Sequence, residues 1–374
     1  MKIDIWHNVL WSRYKGRVFS ALHRKAQASG DLVHFVQMAE TDGNRVGLGA
    51  VDLDYHRYPF ELLYRGALNA IPRWRSVPYF FWRGLTGRAD FTIIAGYASA
   101  QDWAQLLGLV LQGRPRGVFC DSTLGESRPG RLRAGLKRFF FRRCDLIFCY
   151  GERAQAMALH FGARPEALVT RCQAAALPDD YNAAVIPELR AHLRSPSPSF
   201  LYVGRLAPEK NLSRLLSAFA RFVVEQPSAR LRLVGAGPLQ LQLVREAEAL
   251  GITDRLAFVG GLDQHALADE YLAATALILP SLREPWGLVV NEALAYGCPV
   301  LVSDRCGCLP ELVRPGLSGL AFDPLNEAAL RDGMAALAGE DSPSAVSCLS
   351  VITPFTPDAA AADILDAIHR LRGC

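Results

Sequence analysis

Several features that would define a class of protein are missing from this sequence of 374 residues. It has nine cysteines but no CxxC pair, which argues against zinc ribbons and thioredoxin-like redox sites. No stretch approaches the ~18 consecutive apolar residues of a membrane span, and the N-terminal segment MKIDIWHNVL lacks the apolar core of a signal peptide. We therefore expect reduced thiols and a cytoplasmic protein, either soluble or attached to the inner face of the cytoplasmic membrane.

Acidic residues are scarce in the first half of the chain. Residues 1–195 contain 27 Lys and Arg against 17 Asp and Glu, whereas residues 196–374 contain 14 against 20. The segment 128–143, RPGRLRAGLKRFFFRR, has seven cations and no acid. This asymmetry predicts an anionic partner for the first half.

Aromatic residues accompany the positive charge in segments 65–83 and 128–143. In the second segment, Leu132, Leu136, Phe139 and Phe140 are spaced to share one helix face among the cations. This pattern is typical of a helix that lies on an anionic membrane, although a core helix with solvated arginines would look the same. No recognised motif accompanies the charge, so nucleic acid is not expected as a partner.

The length of the chain suits two domains. A polar, proline-bearing stretch, Ser195 to Ser199, marks a boundary between residues 1–195 and residues 196–355. The final segment, 356–374, has a helical pattern and is expected to dock on one of the two domains, with packing back on the first domain as one of the two alternatives.

Short apolar runs alternate with helical patterns along both halves, which predicts an α/β fold with two doubly wound parallel sheets. In the second half these runs end in glycine, serine or proline, and the helical pattern after the first run has one apolar face. The predicted strands are 2–10, 31–37, 91–97, 116–120 and 145–151 in the first domain, and 199–203, 231–234, 256–259, 276–279 and 299–302 in the second.

Two sites in the second half suit a phosphorylated sugar. Arg205 and Lys210 follow the strand that ends at Gly204, where two cations would stabilise a diphosphate leaving group, although a solvated loop pair is the simpler interpretation. The run REPWGLVVNE, 283–292, places Glu284 and Glu292 on either side of Gly287 at a predicted helix start. Carboxylates accept hydrogen bonds from sugar hydroxyls, and a helix N-terminus attracts phosphate.

Together these motifs resemble the retaining nucleotide-sugar glycosyltransferases of the GT-B architecture, the large group known as glycosyl transferases group 1. The resemblance is carried by Gly204-Arg205 with Lys210, by GAGP at 235–238, and by Glu284 with Glu292 followed by ALAYGCPV. It implies two Rossmann-like domains that face each other across a cleft. It also implies that the first domain binds an acceptor and the second a nucleotide-sugar donor.

The resemblance assigns roles to individual residues. Arg205 and Lys210 would bind the donor diphosphate, Glu284 the transferred sugar with the amides of Leu288 and Val289 nearby, and Glu292 the ribose. The base, uridine or guanosine, would lie near Val259 and Gly260. The remaining candidate donor residues are Gly16, Gly204, Gly235 and Gly287, and no metal or other cofactor is expected.

The first domain departs from the family pattern. Many members have paired glycines after the first strand, whereas the loop from Asn8 contains only Gly16. Many have a histidine near the end of the central strand, whereas here Asp121 follows RGVFC, and Asp121 is the candidate for that catalytic role.

The implied function is transfer of a sugar, with retention of configuration, to a glycan or a polyprenyl-diphosphate-linked acceptor in surface polysaccharide synthesis. Two alternatives share the donor site. A sugar-nucleotide epimerase would alter the donor without an acceptor, and a non-catalytic regulator would bind the donor without turnover.

Overall fold

The computed structural model describes residues 1–43, 51–125 and 130–373, so Arg128 and Pro129 of the basic segment lie outside the described residues. The strands are β1 (Lys2–Val9), β2 (Leu32–Thr41), β3 (Phe60–Ala67), β4 (Phe91–Ile94), β5 (Arg116–Cys120), β6 (Leu146–Cys149), β7 (Leu168–Val169), β8 (Ser199–Val203), β9 (Arg230–Val234), β10 (Leu256–Gly260), β11 (Ala276–Leu279), β12 (Val300–Ser303) and β13 (Gly319–Phe322). The α-helices are α1 (Arg13–Ser29), α2 (Arg73–Thr86), α3 (Ala100–Gln112), α4 (Arg131–Arg142), α5 (Glu152–His160), α6 (Ile186–Leu193), α7 (Leu212–Glu225), α8 (Gln240–Ala249), α9 (Gln264–Ala273), α10 (Leu288–Ala295), α11 (Glu327–Ala338), α12 (Ala345–Ile352) and α13 (Pro357–Arg372).

The chain forms two compact units. Unit 1 comprises Met1–Ala176 and the C-terminal segment from Phe355, and unit 2 comprises Leu177–Pro354. The unit boundary therefore lies earlier than the expected boundary at Ser195. The reason is α6, whose buried Arg190 donates hydrogen bonds to backbone carbonyls in unit 2, those of Tyr271, Leu272, Ala274 and Thr275.

Unit 1 is built on a seven-stranded parallel sheet in the order β3-β2-β1-β4-β5-β6-β7. Phenylalanine rings from α1 and from the strands pack together on one face, among them Phe19, Phe35 and Phe119. Helix α13 adds Ile364 and Ile368 to the same core, so the C-terminal helix packs on unit 1.

Unit 2 is built on a six-stranded parallel sheet in the order β10-β9-β8-β11-β12-β13. The predicted apolar face of α7 is confirmed, because its five apolar residues are at most 1% exposed: Leu212, Leu215, Leu216, Phe219 and Phe222. The two parallel sheets confirm the predicted α/β fold. Because the strands of each sheet run in parallel, the loops after β8, β9, β10 and β11 leave the unit 2 sheet at one edge.

Candidate active site

The loop after β8 carries the two predicted cations. It runs from Gly204 to a short 3-10 turn, Pro208–Lys210, which leads into α7. Arg205 is half-exposed and pairs with Glu209 at 2.5 Å, four residues along the chain. Lys210, in contrast, has a side chain that is only 14% exposed and points to a different loop. The two cations therefore differ in setting, and Lys210 lies in the more enclosed position.

Glycines let three strand ends of unit 2 approach closely. A Cβ on Gly235, after β9, would lie 2.0 Å from the carbonyl oxygen of Gly204, after β8. The Gly235 amide donates a hydrogen bond of 2.7 Å to the carbonyl of Gly260, at the end of β10. Because any side chain at Gly235 would separate these loops, glycine is required there. Val259 is half-buried beside this junction.

A cation and a carboxylate from different loops touch at this edge. The Nζ of Lys210 donates a short hydrogen bond to the Glu284 carboxylate, and the Oγ of Ser281 donates to the same carboxylate oxygen at 3.2 Å. The Glu284 side chain is 15% exposed, so both partners are largely enclosed. The residue predicted to bind the diphosphate and the one predicted to bind the sugar are thus neighbours.

The loop that carries Glu284 ends at a helix N-terminus. Gly287 is the N-cap of α10 and has φ +100°, in the left-handed region that glycine adopts without strain. A Cβ there would also lie 2.9 Å from the side chain of Leu279. The backbone amides of Leu288 and Val289 belong to the first turn of α10, and such amides have no partner within the helix. Amides in this position attract anions, so the predicted phosphate contact beside Glu284 stays a prediction.

Glu292 lies on α10, one turn after these amides. Its Oε2 accepts a hydrogen bond of 2.8 Å from the hydroxyl of Tyr271, on α9. Tyr271 is 1% exposed, and its ring stacks on Tyr296 with an interplanar angle of 9°. Burial, with the neighbouring Glu292 charge, raises the pKa of Tyr271 well above its usual value, so the hydroxyl remains a donor. One carboxylate oxygen of Glu292 is thus held in place by a rigid phenol.

The sequence analysis missed three side chains that organise this site. Asn211 has φ 59° and donates to the carbonyls of Pro280 and Pro324 at 3.3 and 2.9 Å, which ties the Lys210 loop to the segments that follow β11 and β13. Ser281 and Tyr271 hold the two glutamates, as described above. An asparagine before an apolar helix pattern is a visible signal, but the contacts of Ser281 and Tyr271 arise only in the folded unit.

In unit 1, Asp121 directly follows β5 and is exposed. It lines a cavity of about 480 Å³, here named the unit 1 cavity, together with Asn8, Lys15, Arg73, Asp102 and Tyr150. Gly16 lies within α1, where a Cβ would be 2.7 Å from the carbonyl oxygen of Tyr55. Close packing therefore accounts for this glycine, and its contact with a donor stays a prediction.

Three comparisons relate the chain to known proteins. Residues 186–345 match the model of the family "Glycosyl transferases group 1". D-inositol 3-phosphate glycosyltransferase of Streptomyces bingchenggensis is 35% identical over 192 residues, which are 47% of this chain and 41% of that protein. The chain therefore spans less than half the length of this curated relative.

Two solved structures share the fold over nearly the whole chain. The lipopolysaccharide outer core galactosyltransferase WaaB, in its apo form, has a TM-score of 0.72 at 18% identity and covers 99% of each chain. HepE of Anabaena, in complex with UDP, has a TM-score of 0.73 at 17% identity and covers 99% of this chain and 100% of its own. The resemblance drawn from the motifs is confirmed: residues 186–345 match the glycosyl transferases group 1 model, and the chain has the two-sheet α/β fold of GT-B glycosyltransferases.

Proposed function

We propose that this chain is a retaining glycosyltransferase that moves a sugar from a nucleotide diphosphate sugar to a glycan or lipid-linked acceptor. The observation that carries the proposal is the contact between Lys210 and Glu284 beside the N-terminus of α10. The bond that transfer breaks joins a sugar to a diphosphate. A cation next to a hydroxyl-binding carboxylate suits the two sides of that bond.

Each part of the donor has a partner in this arrangement. Arg205, Lys210 and the amides of Leu288 and Val289 receive the diphosphate. Glu284 accepts hydrogen bonds from the sugar, and Glu292, oriented by Tyr271, accepts them from the ribose. The uridine or guanosine base lies near Val259 and Gly260. A nucleotide donor is supported by HepE, whose structure contains UDP.

The proposed chemistry needs no covalent intermediate with the protein. The bond between C1 of the sugar and the diphosphate oxygen breaks, and the acceptor oxygen bonds to C1 on the same face. Bond formation on the same face retains the configuration at C1, and the acceptor proton passes to the departing phosphate oxygen. Lys210 and the helix amides stabilise the charge that grows on that phosphate, which is the role that a metal ion has in other transferases. Asp121 contributes from unit 1 on the acceptor side.

Donor binding and transfer are separable in experiment. We expect one UDP- or GDP-sugar to raise the melting temperature of the protein, because it binds only the folded state. Lys210→Ala should lose most of this shift. Glu284→Gln should keep the shift given by the nucleotide diphosphate alone but lose transfer by about 100-fold or more. The matched control is Arg245→Gln, at an exposed position of α8.

Three outcomes would refute the proposal. Unchanged turnover in Glu284→Gln would remove Glu284 from the mechanism. A sugar nucleotide that is epimerised when incubated with the protein alone, with the product seen by NMR, would indicate an epimerase. Donor binding without turnover across a panel of glycan and polyprenyl-diphosphate acceptors would indicate a regulator.

We further propose that unit 1 meets its acceptor on an anionic membrane surface during surface polysaccharide synthesis. Neither α2 nor α4 contains Asp or Glu. Trp74 and Trp82 on α2 are 76% and 61% exposed, and Leu132 and Phe139 on α4 are 79% and 44% exposed. Exposed aromatic and leucine side chains among arginines favour insertion into a headgroup layer.

An apolar groove of about 550 Å³ joins these helices, with Val77 and Phe81 of α2, Trp103 of α3 and Phe139 of α4 in its lining. It offers a place for acyl or isoprenoid chains beside the basic residues. Among residues 1–43, 51–125 and 130–373, no helix is long and apolar enough to cross a bilayer.

The membrane proposal predicts sedimentation of the protein with vesicles of phosphatidylglycerol but not of phosphatidylcholine. Arg138→Glu with Arg142→Glu, two exposed positions of α4, should reduce the bound fraction several-fold and lower activity on a membrane acceptor. Arg245→Glu changes the same charge in unit 2 and should leave binding intact. Equal binding of the double variant would refute a role for α4.

A further inference from the structure

A lysine is completely buried in unit 1, and no side chain or backbone group in the described part of the chain accepts a hydrogen bond from it. Lys15, in the first turn of α1, is 1% exposed, and its Nζ has no hydrogen-bond partner within the described part of the chain. The Nζ lies 3.7 Å from the ring centroid of Phe119, 4.9 Å from that of Tyr150, and 5.7 and 5.8 Å from those of Phe19 and Tyr14. Ring faces attract a cation, but they do not replace the hydrogen bonds that water gave it. The ammonium is therefore left short of acceptors.

A second buried group is left unsatisfied nearby in the fold. Asp102 is 2% exposed and lies in the first turn of α3, where its Oδ2 accepts a hydrogen bond of 3.0 Å from the backbone N–H of the N-cap residue Ser99. Its other oxygen, Oδ1, has no partner among residues 1–43, 51–125 and 130–373. Burial raises the pKa of Asp102 to about 6. An unpaired buried carboxylate oxygen, like an unpaired ammonium, is costly unless a ligand completes its hydrogen bonds.

Both residues line the unit 1 cavity, at the carboxyl edge of the parallel sheet where α/β domains bind ligands. Its volume of about 480 Å³ is in the range of small-molecule sites. Arg73 adds a second cation to the lining, and Asp121 adds a second carboxylate. The lining therefore offers cations for a negative group and carboxylates for hydroxyls.

We propose that the unit 1 cavity binds a sugar residue that carries an acidic group, a phosphate or a carboxylate, with the negative charge on Lys15 and hydroxyl hydrogen bonds donated to Asp102. A neutral sugar would satisfy Asp102 but leave the Nζ of Lys15 without a negatively charged hydrogen-bond acceptor. An acidic sugar satisfies both groups and brings the charge that the aromatic rings lack. The role of this sugar as the acceptor rests on the proposed function, whereas its binding does not.

Calorimetric titration with glucose 6-phosphate, glucuronate and glucose tests the proposal directly. The wild-type protein should bind at least one acidic sugar ten-fold or more tightly than glucose. Comparison of glucose 6-phosphate with glucuronate identifies whether phosphate or carboxylate is preferred. Lys15→Met should abolish this preference. Lys25→Met, on the same helix but outside the cavity lining, is the matched control and should retain it.

A second variant and a second ligand separate binding from folding and from the donor site. Asp102→Asn retains an oxygen that accepts the hydrogen bond from the Ser99 amide. It should lower the affinity for every sugar that the wild type binds. UDP affinity should be the same in wild type, Lys15→Met and Asp102→Asn. The proposal is overturned if glucose binds as tightly as the acidic sugars, or if Lys15→Met still prefers acidic sugars to glucose. It is also overturned if Lys15→Met lowers the affinity for UDP and not that for acidic sugars.

These outcomes are distinguishable from failure of the proposed function. A wild-type protein that binds acidic sugars but no nucleotide sugar would refute the glycosyltransferase proposal and leave the cavity assignment standing. One that binds nucleotide sugars but shows no preference for acidic sugars would refute the cavity assignment alone.

Discussion

Replacing Lys15 by methionine should make unit 1 more stable. Burial lowers the pKa of Lys15 to about 8, against the opposing effects of Cys172 and Asp121. An exposed lysine in the unfolded chain has a pKa of about 10.4. Since each pH unit of difference corresponds to about 1.4 kcal/mol, the charged side chain lowers the free energy of unfolding by about 3 kcal/mol at pH 7.

The aromatic rings around Nζ offset part of this destabilisation. A desolvated cation–π contact contributes up to about 2 kcal/mol. Methionine has a similar length and no charge, so Lys15→Met should raise the free energy of unfolding by about 1 to 3 kcal/mol at pH 7. A stabilising substitution in a site that loses ligand binding is the expected signature of a functional buried charge.

The pH dependence has a defined sign. The folded pKa of Lys15 is the lower one, so between about pH 8 and 10.4 the unfolded state holds a proton that the folded state has released. Stability of the wild type therefore rises in this window relative to Lys15→Met. Burial raises the pKa values of Cys172 and Tyr150 above their usual values in both proteins, and in the wild type the charge of Lys15 lowers the pKa of Cys172 in the opposite direction.

Urea denaturation followed by tryptophan fluorescence provides the assay, because most tryptophans lie in unit 1: Trp6, Trp11, Trp74, Trp82 and Trp103. The increase in the free energy of unfolding given by Lys15→Met should be largest at pH 7 and smaller at pH 10. The free energy of unfolding of Lys25→Met should stay within about 0.5 kcal/mol of the wild-type value. A loss of stability in Lys15→Met that is the same at pH 7 and pH 10 would refute the reasoning.

Three further predictions concern unit 2 and the reaction. Tyr271→Phe removes the hydroxyl that orients Glu292, so the Kd for the nucleotide diphosphate, measured by calorimetry, should rise about five- to ten-fold without a change in melting temperature above a few degrees. An unchanged Kd would leave Tyr271 with a packing role only. Gly237→Ala should lower the melting temperature markedly, because its Cβ would lie 2.4 Å from the Leu206 carbonyl oxygen, whereas Gly135→Ala, with nothing within 4 Å, should not. Equal melting temperatures in a thermal scan would contradict the close packing. Transfer should continue in excess EDTA, because Lys210 and the α10 amides supply the positive charge, and a rate that falls and returns with added magnesium would disprove this.

The parts of the fold that the sequence predicted are those with strong local patterns. Buried strands such as β11 are short apolar runs that end in small residues, and α7 has a single apolar stripe. The strands that were missed are β3, β7 and β13. Both β3 and β13 lie at sheet edges and include charged or half-exposed positions, and β7 has two residues, so none has a buried-strand pattern.

The candidate site was predictable where function depends on spacing along the chain. Glu284 and Glu292 lie in one loop and the helix that follows it, so their spacing is visible in the sequence. Tyr271 reaches Glu292 from a different helix, and Lys15 is surrounded by rings from α1, β5 and the loop after β6. Such contacts depend on tertiary packing, and no local pattern reports them.

A structure determined from crystals grown with UDP tests the central claim most directly. The account predicts the diphosphate against Lys210 and the amides of Leu288 and Val289, with the ribose hydroxyls on Glu292. Well-ordered UDP bound elsewhere on the protein, with these four residues free of it, would contradict the account.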